Sequence, residues 1–224
     1  MRFTVAMTLD ITVRGFAEST YPAERGTLAL AVVLEGPDRD EVTSTAVDLH
    51  DQVTSQLEQL RERESVSQWS SDQVRVMSHR PYDEGRRQAP IHVTRVEVSA
   101  EFVDFERLSG FVDYWAGRDG VEVGGVAWDV AERDRRLFES EVRKAAVDDA
   151  VHKAQAYSDA VRRGKVTAYE IADPGMLAGG HDAGGGPQPM FARMASDVGG
   201  GAALTLTPAP IVIGVSVDAR FTAG

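Results

Sequence analysis

The sequence of 224 residues contains no cysteine and no asparagine, and its only lysines are Lys144, Lys153 and Lys165. Without cysteine the chain cannot form a disulfide, a thiolate metal site or a thiol nucleophile. No apolar run reaches the about 20 residues that a membrane-spanning helix needs. Asp10 and Arg14 interrupt the apolar residues near the N-terminus. The sequence therefore predicts no signal peptide, no membrane insertion and a cytoplasmic location.

Positive charge is also scarce, because 24 basic residues stand against 35 acidic ones and the formal net charge is −11. Binding to a nucleic-acid backbone needs a basic stripe, so we exclude nucleic acid as a partner. An anionic membrane surface would repel the chain for the same reason. The acidic residues are spread along the chain, which is typical of a soluble surface.

No motif for metal binding or catalysis is present. The five histidines do not pair at a spacing that suits a metal, so we interpret them as structural or surface residues. They are His50, His79, His92, His152 and His181. The sequence therefore predicts no catalytic, cofactor-binding or metal-ligating residues. A hydrolase that uses carboxylates and one histidine is the enzymatic alternative.

Two other sets of residues could suggest chemistry, but each lacks the context that the chemistry needs. The glycines at 179–180 and 184–186 do not lie between a strand and a helix, as a phosphate-binding loop would. We interpret the neighbouring carboxylates as exposed acids, because a catalytic pair needs a pocket that shifts its pKa values. These carboxylates are Asp38, Asp40, Glu41, Asp83, Glu84, Asp148 and Asp149.

Apolar residues at steps of three and four predict three helices, at about 38–63, 105–117 and 130–163. Asp38 and Asp104 are suitable N-caps of the first two, and Asp129 with Glu132 resembles a capping box for the third. The third helix is the long element around which the chain is organised, and Gly164 suits its C-terminal end. Its apolar stripe contains Leu137, Phe138, Val142, Ala145, Ala146, Ala150, Ala154, Tyr157 and Val161.

Alternating or continuous apolar runs predict the strands. These runs are 3–14, 27–34, 65–81, 91–103, 121–129, 165–172 and 211–221. We expect a turn at 15–22 and a hairpin between the first two strands. We also expect inward positions for Trp69, Trp115, Trp128 and Tyr157.

Hairpins that alternate with helices predict an α+β fold, with antiparallel or mixed sheets covered by helices on one face. We expect one domain over residues 1–224. The segment at about 174–205 is predicted to be a flexible loop, because it is rich in glycine and poor in large apolar residues.

The ordered set of short motifs resembles the SIMPL-domain family over nearly the whole chain. The resemblance is carried by Ile11–Gly15, Tyr21–Ala23, the helix that contains Ala46, Arg80–Asp83, Ile91–Thr94 with Val96–Val98, Asp104–Leu108, Gly125–Asp129, Val166–Ile171 and the strand at Pro208–Phe221. It implies a β-rich α+β domain, ring-like or channel-like assembly in some members, and an association with oxidative-stress defence. It supplies no catalytic residues to transfer.

We therefore expect a non-enzymatic protein of the SIMPL family that assembles into a homo-oligomer or binds another protein. The closing strand at 211–221 is apolar on both sides at its start, which indicates a central strand or one covered by a neighbouring copy. The alternative is a small-molecule-binding domain with a pocket between sheet and helices. In that case the glycine-rich loop would act as a lid.

Overall fold

A computed structural model describes residues 8–83, 86–177 and 206–224 of the chain. The described chain contains three helices and ten strands, some of them short. Their order is β1 (Leu9–Tyr21), β2 (Arg25–Gly36), α1 (Arg39–Glu62), β3 (Val66–Ser71), β4 (Arg75–His79), β5 (Tyr82–Asp83), β6 (Arg86–Arg87), β7 (Ile91–Phe102), α2 (Phe105–Ala116), β8 (Val121–Asp129), α3 (Glu132–Ala160), β9 (Val166–Ala172) and β10 (Ile211–Ala223). The α+β class and the three helices are confirmed.

The described chain separates into two compact units. The first contains residues 8–21, 130–177 and 210–224, and the second contains residues 22–83, 86–129 and 206–209. Every strand pair in both units is antiparallel. The expectation of one domain over residues 1–224 stays a prediction. The predicted loop at 174–205 lies outside the described residues from 178 onward.

The first unit is a three-stranded sheet in the order β1-β10-β9, with α3 on one face. Odd-numbered residues of β1 and β10 point toward α3 and are largely buried, which follows from the period of two along a strand. The helix meets them with one residue in every four. This buried stripe consists of Val142, Ala146, Ala150, Ala154 and Ser158.

Helix α3 approaches the sheet closely at Gly15. A Cβ atom on Gly15 would lie 2.0 Å from the carbonyl oxygen of Ala146 and 2.8 Å from the Cβ of Ala150. Small side chains on the helix and glycine on the strand therefore permit this contact together. The predicted turn at 15–22 is wrong for this reason, because Gly15 serves close packing inside a strand that continues to Tyr21.

The second unit contains the larger sheet, in which β7 and β2 are central and β8 is one edge. Both β3 and β4 pair with β7, so the predicted strand at 65–81 is divided into two. Helices α1 and α2 bury their apolar faces against this sheet. The core includes Leu28, Val32, Val53, Leu57, Val98, Phe102, Leu108, Phe111 and Trp115. Each fully buried large side chain stabilises the fold by about 1.5–3 kcal/mol relative to an exposed one.

The first two helices have the predicted caps, whereas the third does not. The side chain of Asp38 accepts hydrogen bonds from the N–H groups of Asp40 and Glu41, and Asp104 caps α2 in the same way. At α3 the N-cap is Ala131, which makes no side-chain capping bond. The predicted capping box is wrong because Asp129 belongs to β8, where its carboxylate accepts a hydrogen bond from Arg25 at 3.0 Å.

Two further expectations are corrected by the strand pairing and by exposure. The predicted hairpin of the first two strands does not form, since β1 pairs with β10 while β2 pairs with β7 and β8. Tyr157 is 61% exposed and not inward-facing, although Trp115 is buried as expected. In the predicted stripe of α3, the exposed members are Leu137, Ala145, Tyr157 and Val161.

The apolar strand near the C-terminus is central only in its second half. Asp218–Ala223 of β10 lies between β1 and β9, whereas Ile211–Val217 pairs with β1 alone among the described strands. For the apolar start of the strand, cover by a neighbouring copy therefore stays a prediction.

Candidate functional site

The histidines are dispersed over the described chain. His50 Nε2 lies 2.8 Å from the hydroxyl oxygen of Ser71, His79 ends β4, and His152 is exposed on α3. Among the described residues, no group of three His, Asp or Glu side chains could hold a metal ion. His92 begins β7, and His181 lies outside the described residues. Their interpretation as structural or surface residues stays a prediction.

The open edge of β1 is capped by a charged pair from α3. Lys153 Nζ donates a hydrogen bond to the carbonyl oxygen of Arg14 at 3.0 Å, and Asp149 Oδ2 accepts one from the N–H of Phe16 at 2.8 Å. The two charged groups are themselves 2.6 Å apart. The Lys153 ammonium, and then the Phe16 N–H, hold the pKa of Asp149 below its ordinary value. This arrangement covers backbone groups that could otherwise pair with another strand.

The open edge of β9 is different in character. No other described strand pairs with it on the side away from β10. Tyr169 is 54% exposed and Ile171 is 51% exposed. Three more large apolar side chains in residues 157–176 are over half exposed, namely Tyr157, Val161 and Met176. An edge strand with exposed apolar side chains is a template for pairing with another chain.

A carboxylate on the outer face of the same sheet fixes the turn after β9. Asp218 accepts two hydrogen bonds from the Arg14 guanidinium, at 2.6 and 2.9 Å, and one from the Gly175 N–H at 2.9 Å. The Arg14 guanidinium holds the pKa of Asp218 below its ordinary value. Gly175 has φ of +84°, a backbone conformation that glycine adopts without strain. This ion pair therefore holds the chain near the end of β9.

The second unit carries a polar groove on the sheet face away from its helices. Its floor consists of small side chains on β2, β7 and β8, and its volume is about 430 Å³. Arg95 on the rim donates to Glu97 at 3.1 Å and to Glu122 at 2.8 Å. Glu97 lies on the same strand as Arg95, whereas the bond to Glu122 joins β7 to β8 across the intervening β2. These contacts satisfy the charges on the rim, as expected of a solvated face of an antiparallel sheet.

Another groove, of about 590 Å³, lies between α1 and α2. One wall is a polar face of α1, and the floor includes Trp115, whose indole N–H donates to Gln56 Oε1 at 2.9 Å. The predicted ligand pocket between sheet and helices is a different place. The glycine-rich segment that would close it lies outside the described residues from 178 onward.

The fold and its surfaces define an α+β protein of two helix-covered antiparallel sheets, one of which has an apolar open edge. The chain belongs to the SIMPL family, described as proteins of unknown function (DUF541), whose profile matches residues 11–221. The resemblance inferred from the short motifs is thereby confirmed. No curated protein matches the chain. No helix in the described ranges combines the length and the apolar content needed to cross a bilayer.

Sequence reasoning did not single out the residues of the two sheet edges. The sequence alone indicates that Asp149 is an exposed acid, and it places Tyr169 and Ile171 in the predicted strand at 165–172 without marking that strand as an edge. A signal does exist in the sequence, because aromatic and β-branched residues occur at every second position of β9. Whether these side chains face solvent depends on which elements pack on the faces of the sheet, and the local sequence does not contain that information.

Proposed function

We propose that this protein acts by assembling with copies of itself and not by catalysing a reaction. The observation that supports the proposal is the contrast between the two edges of the three-stranded sheet. The β1 edge is capped by Asp149 and Lys153, whereas the β9 edge exposes Tyr169 and Ile171, and α3 caps it at the Val166 N–H through Gln155. An edge with backbone groups still open pairs readily with an added strand, and closed symmetric homo-oligomers are the usual outcome of self-association.

The proposed interface must bury a minimum surface area to be specific. A specific interface buries at least about 1,000 Å² in total, with apolar side chains at its centre. The edge strand supplies main-chain hydrogen bonds. The exposed side chains of Tyr169 and Ile171 supply apolar area on the strand itself. We therefore expect the β9 edge to lie at the centre of the interface.

The molar mass in solution tests this proposal. Light scattering of the purified chain at micromolar concentration should give a multiple of 24.3 kDa. The double variant Tyr169→Lys with Ile171→Lys should lower the mass toward that of one chain, because charge on an edge strand opposes pairing.

The matched control places two lysines on the other edge strand of the same sheet, as Thr12→Lys with Thr20→Lys. Both threonines are exposed on β1, so this variant should keep the oligomeric mass. A mass of one chain for the unmodified protein would remove the assembly proposal. Equal losses in both double variants would show that the β9 edge is not the contact.

Two broader parts of the proposal rest on the family resemblance and on the sequence. We place the assembly in the cytoplasm, and we propose a contribution to stress defence. Cell fractionation tests the location. Survival of a deletion strain under peroxide, compared with the same strain carrying the gene, tests the role.

The small-molecule-binding alternative has one observation in its favour, the groove between α1 and α2. Its amide side chains and the indole at its floor offer hydrogen bonds and an apolar surface together. A single-chain mass combined with ligand-induced thermal stabilisation would favour this alternative. In that case Gln56→Ala should reduce the stabilisation, while Gln68→Ala on β3 should not.

A further inference from the structure

We propose that two copies join through their β9 strands in one antiparallel register, in which Val166 of each copy lies opposite Ile171 of the other. This inference rests on the proposed self-assembly and specifies its contact. It follows from the hydrogen-bond alternation of β9, from a bulge in that strand, and from the side chains that the register brings together.

The alternation of the ladder decides which backbone groups are available. In an antiparallel pair, successive residues direct their N–H and C=O groups alternately to one neighbouring strand and to the other. In β10 the odd-numbered residues bond to β1, because the outward groups of β1 belong to Arg14 and Phe16. The even-numbered residues of β10 therefore bond to β9.

The partners of those even-numbered residues follow from the register. Three residues of β9 lie opposite Asp218, Arg220 and Thr222 of β10. Their backbone N–H and C=O groups are directed toward β10 and away from the open edge. These residues are Ala172, Glu170 and Thr167. The backbone N–H and C=O groups of Val166 and Ile171 are accordingly directed toward the open edge. The hydrogen bond of the Val166 N–H agrees with this direction, since it donates to the side chain of Gln155 at 3.1 Å and not to β10.

The bulge restricts how two β9 strands can pair. Two residues, Ala168 and Tyr169, separate the inward-pointing Thr167 and Glu170, where a regular strand would have one. Pairing requires outward residues to oppose outward residues. A two-fold axis between Ala168 and Tyr169 meets this requirement along the whole strand, and it places the bulges of the two copies opposite each other. An axis at Val166 or at Ile171 would pair only the residues at one end of the two strands.

This register also matches the side chains. Val166 and Ile171 both lie on the α3-facing side, because they pair with the buried residues Ala223 and Ala219 of β10. Each β-branched residue would therefore meet another across the dimer, a favourable cross-strand pair. On the other face Thr167 meets Glu170 of the second copy, and Lys165 lies diagonally from that carboxylate.

The product is one continuous six-stranded sheet in the order β1-β10-β9-β9-β10-β1, with both α3 helices on the same face. It is an isologous interface of the commonest symmetry. One existing bond must be exchanged, because the Val166 N–H leaves Gln155 for the carbonyl of Ile171 in the second copy. Replacing Gln155 with alanine should therefore leave the dimer intact.

Cysteine crosslinking tests the register cleanly, since the chain has no cysteine of its own. Two variants, Thr167→Cys and Glu170→Cys, are oxidised separately and as an equimolar mixture. In the proposed register these positions form a non-hydrogen-bonded pair with Cα atoms about 4.5 Å apart, within disulfide range. Identical positions lie about three residues apart along the strands, at roughly 10 Å, and are too distant.

We expect a disulfide-linked dimer in the mixture and none in either variant alone. A mixture of Thr167→Cys with Thr12→Cys on β1 is the control and should give none. Absence of the link, with an oligomeric mass for the unmodified chain, would overturn the register and leave self-assembly standing. Equal linking in the separate variants would also overturn it, and a single-chain mass would overturn both proposals.

Discussion

At Gly15, helix α3 packs so closely against strand β1 that no side chain fits. A Cβ atom there would lie 2.0 Å from a carbonyl oxygen of α3. We therefore expect Gly15→Ala to lower the free energy of unfolding by about 3 kcal/mol, near the upper end for overpacking. Urea denaturation measures the change.

Gly110 is the matched control for that substitution. It lies exposed inside α2, and a Cβ atom there would meet nothing within 4 Å. Gly110→Ala should raise the free energy of unfolding by about 0.5–1 kcal/mol, the helix-propensity difference. The same sign for both substitutions would contradict the packing argument.

The carboxylate of Asp218 gives a prediction about pH. Its pKa is lowered by Arg14, so the stability that this group contributes is present above the ordinary aspartate pKa of about 3.9. That contribution is lost as the pH falls through the lowered pKa. Arg14→Gln should move the pKa of Asp218 upward, as measured by NMR titration of the carboxyl carbon. Arg95→Gln, in the other unit, should leave it unchanged.

At the scale of the element, the buried stripe of α3 is narrower than the apolar stripe that the sequence predicts. Ala150 is fully buried against the sheet, whereas Ala145 is exposed. Ala150→Leu should therefore cost about 1–3 kcal/mol of unfolding free energy through overpacking. Ala145→Leu should change it by no more than about 0.5 kcal/mol. Thermal denaturation of the two variants compares them directly, and equal losses would mean that both positions are packed.

The charged cap on β1 is an element-scale device that protects an edge. The N–H of Phe16 is held by Asp149, so Asp149→Ala should speed its exchange with deuterium by about tenfold or more. Asp148→Ala removes a neighbouring exposed acid and should leave that exchange rate unchanged. Hydrogen exchange followed by NMR resolves the single amide. Unaltered exchange in Asp149→Ala would show that the cap does not protect the edge.

At the scale of the whole molecule, the net charge of −11 opposes any self-association. Screening shortens the range of that repulsion from about 30 Å at 0.01 M salt to about 8 Å at 0.15 M. The average mass measured by light scattering should therefore rise between these two salt concentrations. A fall in mass would mean that attraction between opposite charges of the two copies, such as Lys165 and Glu170 in the proposed register, dominates the contact.

The sequence by itself determined the helices, the caps of α1 and α2, and the α+β class. These features depend on neighbours within a few residues, such as Asp38 with the N–H groups of the first turn. The resemblance to the SIMPL family was also available, because ordered short motifs survive in the chain. No local pattern revealed the edges of the three-stranded sheet as the surfaces of interest.

Only the tertiary structure decided the partner of β1 and the role of Gly15. The strand pairs with β10, about 200 residues along the chain, and not with its neighbour β2. The difference in exposure between Ala145 and Ala150 depends on which side of α3 packs against this sheet. The spacing of apolar residues in the sequence indicates which residues can lie on the same face of a helix or a strand. The packing of distant elements determines which of those faces is buried and which edge stays open.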